Sequence, residues 1–130
     1  MEIIIPDLQG CVMCEDVRQE INGMQTIVGV VNVVPAPKLP LTFFKICIWT
    51  RWCSGQGRFE QRSRIMAPDE EQIIGEAQVN FQLTEIESHA TNVHCFGGLQ
   101  IHHYGVHHVE ISLNSELRLR FPLSVVKVGA

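Results

Sequence analysis

The sequence predicts an all-β fold, a single antiparallel β-sandwich of about eight strands that spans residues 1–130. Two observations predict it. Helical periodicity is almost absent, and β-branched and aromatic residues recur in short runs separated by Gly, Pro, Asn and Asp. The length of 130 residues, with 45% hydrophobic and 18% charged side chains, suits one globular domain with one core.

The first predicted hairpin has the clearest turn in the chain. Residues 10–21 lead into Asn22-Gly23, and both turn residues tolerate the positive φ angles of a type I′ turn. A two-residue loop predicts two cross-strand pairs, Ile21 with Met24 and Val17 with Val28. The return strand loses its alternation after Thr26, which favours a place in the middle of a sheet, covered on both faces.

Three prolines in the segment PAPKLP, residues 35–40, predict an extended crossover from one sheet to the other. The next segment, residues 41–52, alternates with period two. We expect the core face of this strand to consist of Phe44, Ile46, Ile48, Thr50 and Trp52. The opposite face has Phe43, Lys45, Cys47, Trp49 and Arg51.

The middle of the chain predicts two strands that have one face in the core and one in water. Turns are expected at SGQG, residues 54–57, and at APDEEQ, residues 67–72. Between the turns, the predicted core residues are Phe59, Gln61, Ser63 and Ile65, and the predicted surface residues are Arg58, Glu60, Arg62 and Arg64. In the following strand the predicted core residues are Ala77, Val79, Phe81 and Leu83.

The last hairpin is predicted to follow a turn at Gly97-Gly98. A three-residue loop, Asn114-Ser115-Glu116, predicts core pairs Leu113 with Leu117, Ile111 with Leu119 and Val109 with Phe121. The same register predicts outer pairs Ser112 with Arg118 and Glu110 with Arg120, and it leaves His108 near Pro122. The pair of Glu110 with Arg120 would stabilise the fold by at most about 1 kcal/mol if it is exposed.

The segment IHHYGVHHVE, residues 101–110, contains four histidines and one glutamate. On a strand, His108 and Glu110 project from one face and could chelate a metal together with His102 or His103. The segment resembles the histidine and glutamate cluster of cupins, but no His-x-His occurs in the chain. Adjacent histidines point to opposite faces of a strand, so we favour strand histidines without a metal.

The cysteines and tryptophans allow two readings each. Five irregularly spaced cysteines, Cys11, Cys14, Cys47, Cys53 and Cys95, favour reduced thiols over a disulfide framework. Cys11 and Cys14 have the C-x-x-C spacing, but on a strand they face opposite ways, so we favour buried thiols over a metal or redox site. Trp49 and Trp52 also face opposite ways, which predicts one indole in the core and one at the surface as an interface anchor.

Charge and targeting signals exclude several classes of partner. A net charge of −4, with 10 basic and 14 acidic residues, argues against binding to nucleic acid. No apolar run approaches the roughly 18 residues of a membrane helix, and the start MEIIIPDLQG lacks the features of a secretory signal. We therefore expect a cytoplasmic protein with no membrane partner. Nucleophile-elbow, Walker and zincin motifs are absent from the sequence.

Residues 14–31, CEDVRQEINGMQTIVGVV, resemble the opening of an uncharacterised bacterial family of small β-sandwich proteins. The shared features are an acidic-Val-Arg segment, an Asn-Gly hairpin and a Gly-Val strand, and the resemblance extends into residues 39–52 and the closing FPLSVV. Before the last hairpin, where the family has Pro-Gly-aromatic, this chain has Tyr-Gly-Val-His. The resemblance implies an immunoglobulin-like or jelly-roll-like sandwich without an established activity or catalytic residues.

The function that these observations favour is a non-enzymatic module that binds another protein or forms a homodimer, because the edge strands of a sandwich must be covered. Trp49 or Trp52 would anchor the interface, and no cofactor is expected. The alternative is a cupin-like metalloenzyme in which His102 or His103, His108 and Glu110 hold one divalent metal such as zinc. A lectin-like sugar site would need an exposed tryptophan over a polar cleft and ranks below both.

Overall fold

The computed structural model describes residues 2–129 as a sandwich of two β-sheets. Its strands are β1 (Asp7–Gln19), β2 (Gln25–Val30), β3 (Val33–Ala36), β4 (Leu41–Cys53), β5 (Gly57–Met66), β6 (Ile73–Leu83), β7 (His89–Ile101), β8 (Gly105–Leu113) and β9 (Glu116–Lys127). The first sheet has the order β2-β1-β4-β7 and the second has the order β3-β9-β8-β5-β6. All pairs are antiparallel except β3 with β9. The predicted all-β sandwich is confirmed.

The hydrophobic core lies between the sheets and is built by the alternation of the strands. Its fully buried side chains include Ile46, Ile48, Trp52, Ile65, Leu83, Ile101, Val109 and Ile111. Full burial of an aliphatic side chain of this size stabilises the fold by about 1.5–3 kcal/mol relative to exposure. The predicted faces of β5 are confirmed, because its core residues are buried and its arginines lie at the surface.

The inward face of β4 changes near its beginning. Phe44 is 92% exposed, so the prediction that it faces the core is wrong, whereas Phe43 packs against the core. Phe44, where the facing of β4 changes, lies opposite Gly98 of β7, which has a φ of 70°. This left-handed conformation, which glycine adopts without strain, lets β7 change its facing and continue as a strand. The predicted turn at Gly97-Gly98 is therefore also wrong.

The first hairpin has a longer loop than predicted. The N–H of Gly23 donates to the carbonyl of Glu20 at 3.0 Å, and only Gly23 in the loop has a positive φ, of 87°. This is the three-residue loop in which a type I turn is followed by a left-handed glycine. Val17 consequently pairs with Ile27, so the predicted pairs with a two-residue loop are wrong.

The strand β2 lies at the edge of the first sheet, so its predicted place in the middle of a sheet is wrong. The chain then leaves the first sheet, adds β3 to the second sheet and returns to the first as β4. Residues 37–40 of the proline-rich segment make the return, in agreement with the predicted crossover. Within residues 2–129, no helix has the length and apolar character needed to cross a membrane.

The closing hairpin follows the predicted register only away from its loop. The pairs Val109 with Phe121, Glu110 with Arg120, Ile111 with Leu119 and His108 with Pro122 are confirmed. The register then shifts, and Leu113 lies opposite Glu116. Asn114 and Ser115 have φ angles of 49° and 68°, as the two central residues of a type I′ turn do. The predicted three-residue loop is wrong, and so are the two predicted pairs next to it, Leu113 with Leu117 and Ser112 with Arg118.

Candidate functional site

The structure distributes the histidines of residues 101–110 over three environments. His102 and His103 are exposed in the loop between β7 and β8, so their predicted position on a strand is wrong. His107 is buried, with 1% of its surface exposed, and burial lowers its pKa. His108 follows on the opposite face of β8 and is half-buried.

Glu110 makes the ion pair that the sequence predicts. Its carboxylate lies 3.4 Å from Nε of Arg120. Arg120 also pairs with Glu70, and Nδ1 of His108 lies 4.0 Å from a carboxylate oxygen of Glu70. Among residues 2–129, no group of three or more His, Cys, Asp and Glu side chains is arranged to hold a metal ion. The metal site at His102, His103, His108 and Glu110 therefore stays a prediction, and in the described structure these side chains do not converge on one point.

The two tryptophans differ in accessibility. Trp52 is fully buried, and its indole N–H donates to Oε1 of Gln61 at 2.8 Å, so its side chain offers no surface to a partner. Trp49 is half-buried, and its N–H donates to Oε1 of Gln25 at 2.9 Å. Because Gln25 begins β2, this bond ties the turn end of the first hairpin to the outer face of β4. Trp49 is thus the one of the pair that reaches the surface.

A polar network that sequence patterns do not reveal crosses the core. The side-chain oxygen of Gln61 accepts hydrogen bonds from Thr50 at 2.9 Å, Trp52 at 2.8 Å and Asn92 at 2.8 Å. The side-chain nitrogen of Gln61 donates to Oγ of Ser63 at 3.1 Å. Gln61 and Ser63 belong to the second sheet and the three donors to the first, so the network joins the sheets.

The network ends in a serine and histidine pair. Oγ of Ser63 lies 2.8 Å from Nδ1 of His94. The Ser63 hydroxyl has one hydrogen and two lone pairs, so besides accepting from Gln61 it can either donate to Nδ1 of His94 or accept from it. Nε2 of His94 is buried and has no hydrogen-bond partner in the described chain. Burial lowers the pKa of His94 and favours its neutral form. A hydrolase nucleophile must reach its substrate, but Ser63 is fully buried, so we assign the pair a structural role.

A groove of about 580 Å³ opens between β5 and β6, and another of about 570 Å³ lies between β6 and β7. The groove between β5 and β6 is lined by Arg58, Phe59, Glu60, Asn80, Phe81, Gln82 and Asn114. The lining contains no histidine, cysteine, serine or threonine that could act as a nucleophile or as its base. We therefore find no catalytic constellation in this groove.

The free edges of the sheets are protected to different degrees. The edge strand β3 is only four residues long and contains Pro35. The edge strands β6 and β7 lie against each other. Their contact is close at Gly75, where a Cβ atom would lie 3.1 Å from the side chain of Leu99. The edge strand β2, Gln25–Val30, has no charge and no proline. It is therefore the least protected edge of the described chain.

Exposed apolar side chains border the β2 edge. Ile21 and Met24 in the adjoining loop are exposed, as is Val30 at the other end of the strand. This site could not be predicted from the alternation, because its loss after Thr26 is also the pattern of a strand buried on both faces. Residues 21–30 contain no charged side chain. This feature is as typical of an edge strand that pairs with another chain as it is of a buried strand.

The comparisons with known proteins concern the fold and the family. No curated protein matches this chain at a significant level. An immunoglobulin-like protein from Pseudomonas aeruginosa, known from a crystal structure, is 16% identical with a TM-score of 0.40, over 94% of this chain and 97% of that one. The family of unknown function DUF6941 matches residues 9–126. The resemblance to an uncharacterised family is thereby confirmed, and the chain belongs to the family of unknown function DUF6941.

Proposed function

We propose that this protein is a non-enzymatic binding module whose partner is a second copy of the same chain. Two copies join through antiparallel β2 strands, so that their four-stranded sheets become one continuous sheet. The observation that carries the proposal is the β2 edge, an uncharged strand without proline whose outer side has no neighbouring strand in the described chain. Such an edge is a template for strand addition.

A second copy is the partner that this edge fits best. A two-fold axis brings the strand against itself, and a strand without charges meets its copy without repulsion between like charges. Ile27 and Val28 are half-buried in the single chain, so pairing removes more of their surface from water. Gly29 has a φ of 69°, which confines regular pairing to the part of the strand before it.

The exposed apolar side chains beside β2 complete the interface. In an antiparallel pair, the beginning of one β2 strand lies beside the end of the other. Met24 of one copy is therefore placed near Val30 of the second copy, and the symmetry repeats this contact. Both side chains are more than half exposed in the single chain, at 65% and 57%. Trp49 supports the interface indirectly, because its bond to Gln25 holds the beginning of β2.

The proposal that the protein is not an enzyme rests on the surroundings of the side chains that could act in catalysis. The Ser63 and His94 pair is closed to solvent, and the Glu110 carboxylate is compensated by Arg120. These side chains have structural partners that account for their positions.

Sedimentation equilibrium of the whole chain tests the proposal, with Val30→Lys as the test variant and Val126→Lys as the matched control. Both valines are exposed, at 57% and 40%, but Val126 lies on β9, which has a neighbour on each side. We expect a dimer whose dissociation constant rises about ten-fold or more in Val30→Lys, because the buried ammonium must be desolvated. The dissociation constant of Val126→Lys should equal that of the wild type.

Two results contradict the proposal. One is a wild-type chain that remains monomeric at a concentration of several hundred micromolar. The other is an equal weakening of the dimer in both variants, which would place the interface away from β2. Circular dichroism spectra that coincide for all three proteins establish that each variant is folded.

A further inference from the structure

Three cysteines form a row across three neighbouring strands. Cys14 on β1 lies opposite Cys47 on β4, and Cys47 lies opposite Cys95 on β7. Cys47 stands between Ile46 and Ile48, which belong to the core, so the row is on the outer face of the first sheet. The remaining two cysteines are elsewhere, since Cys11 packs against the core and Cys53 ends β4.

Two thiols of this row are in contact and differ in exposure. Sγ of Cys47 and Sγ of Cys95 are 2.8 Å apart. Cys95 is exposed, whereas Cys47 and Cys14 are fully buried. An oxidant from solution therefore reaches Cys95 first, and the sulfur of Cys47 is in contact with it. The two strands hold the two cysteines at facing positions, so a disulfide bond between their sulfurs requires little movement of the backbone.

We propose that Cys47 and Cys95 are a peroxide-sensitive pair that forms a reversible disulfide within the folded chain. In the first step, the thiolate of Cys95 attacks one oxygen of hydrogen peroxide. An S–O bond forms, the O–O bond breaks, and the departing hydroxide takes up a proton as water, which leaves a sulfenic acid. Two electrons have then passed from sulfur to peroxide.

In the second step, the sulfur of Cys47 attacks the sulfenic sulfur of Cys95. The S–S bond forms, the S–O bond breaks, and the thiol proton of Cys47 leaves with the hydroxide as a second molecule of water. Burial, together with the hydrogen bond to Cys95, raises the pKa of Cys47 to about 12, so Cys47 is a thiol in the reduced chain and reacts slowly with peroxide. The resolving role of Cys47 rests on the contact between the two sulfurs at 2.8 Å, which places it beside the oxidised Cys95.

The experiment treats the whole folded chain with a small excess of hydrogen peroxide, alkylates the remaining thiols, and maps the peptides by mass spectrometry. We expect the number of free thiols to fall from five to three, with one cross-linked peptide pair that contains Cys47 and Cys95. Dithiothreitol should restore all five thiols. The same oxidation in guanidinium chloride should lose this selectivity, because the unfolded chain does not hold the two sulfurs together.

Two variants and a control test the roles of the two sulfurs. In Cys95→Ser, Cys47 should remain a free thiol under the same oxidation. In Cys47→Ala, oxidation of Cys95 should stop at the sulfenic acid, which dimedone labels, whereas wild type should give little label. Cys53→Ser removes another thiol of β4 and should give the wild-type cross-link.

Several results overturn the proposal. They are a wild-type chain in which Cys47 stays free after peroxide treatment, a cross-link that joins Cys47 to Cys14 instead, and a cross-link between Cys95 residues of two chains. Equal labelling of wild type and Cys47→Ala by dimedone would show that Cys47 does not resolve the sulfenic acid, and this too overturns it.

Discussion

Ser63 on β5 and His94 on β7 meet across the core of the sandwich, with 2.8 Å between the hydroxyl oxygen and Nδ1. The two residues belong to different sheets, and Gln61 extends the contact to Thr50, Trp52 and Asn92. Apolar contacts tolerate a sliding of one sheet over the other, whereas hydrogen bonds in a buried network require one alignment. The polar network therefore selects how the two sheets face each other.

Replacing Gln61 should destabilise the protein strongly. Gln61→Leu keeps a buried side chain of similar size but leaves the donors of Trp52 and Asn92 without their acceptor, whereas the Thr50 hydroxyl keeps the carbonyl of Asn92 at 3.0 Å. At about 1–3 kcal/mol for a buried donor that loses its partner, we expect the free energy of unfolding to fall by roughly 3 kcal/mol or more. Urea denaturation measures it, with the exposed Gln78→Leu as the control. Equal values for the two variants would show that the network contributes nothing specific.

Stability should fall in mild acid because of His94. Burial holds the pKa of His94 below its ordinary value of 6.5, so below pH 6.5 the unfolded chain binds the proton more readily than the folded chain. The contribution is complete above pH 6.5 and decreases as the pH falls, by at most about 1.4 kcal/mol per pH unit. In His94→Gln, the free energy of unfolding should change less between pH 6.5 and 5 than it does in the wild type.

The matched control for the pH experiment is His103→Gln, which changes an exposed histidine and should keep the wild-type slope. His107 also has a lowered pKa, so some slope should remain in His94→Gln. A profile for His94→Gln that runs parallel to that of the wild type would exclude His94 as the titrating group.

The histidine segment should not bind a metal stoichiometrically. Glu110 is paired with Arg120, and His102 and His103 lie in a separate loop from His108. Elemental analysis by mass spectrometry of tag-free protein, purified without chelators or a nickel column, should therefore find less than one metal ion per chain. The thermal midpoint should be the same with and without EDTA. Stoichiometric zinc that disappears in both His108→Ala and Glu110→Ala would support the metalloenzyme instead.

The turn of the closing hairpin can be improved by one substitution. Ser115 has a φ of 68°, a conformation that is strained for a residue with a side chain and that glycine adopts freely. Ser115→Gly makes the turn Asn-Gly, the preferred pair for type I′. It should raise the free energy of unfolding by about 1 kcal/mol, because it removes the cost of a left-handed conformation at a residue with a Cβ. Ser112→Gly, within β8, should lower it. A loss of stability in Ser115→Gly would mean that the turn has a different conformation in solution.

The long alternating strands could be predicted from the sequence because their periodicity is uninterrupted. In β5, every second residue from Phe59 to Ile65 is buried, as the pattern indicates. The loops could not be predicted in the same way. Asn22-Gly23 occurs in a three-residue loop, and Asn114-Ser115 forms a type I′ turn without glycine. In both hairpins the choice of loop depends on the flanking strands, and it moves the register by one residue.

The candidate sites depend on contacts between residues that are distant in the chain. Cys47 and Cys95 are 48 positions apart and share no motif, so only the pairing of β4 with β7 brings them together. The polar character of Gln61 and Ser63 at core positions was visible in the alternation of β5, but their partners were not. The status of β2 as an edge likewise depends on which strands pair, and local sequence does not determine this.

The parallel pairing of β3 with β9 has a consequence for protein synthesis. Val33 to Ala36 pair with residues 124–127, and β9 is the only neighbour of β3 in its sheet. While the ribosome adds the residues between them, β3 has emerged but has no strand to join, whereas β1 and β2 can already form their hairpin. The nascent chain therefore cannot close the second sheet until residues 124–127 have been translated, and completion of this sheet is a late event.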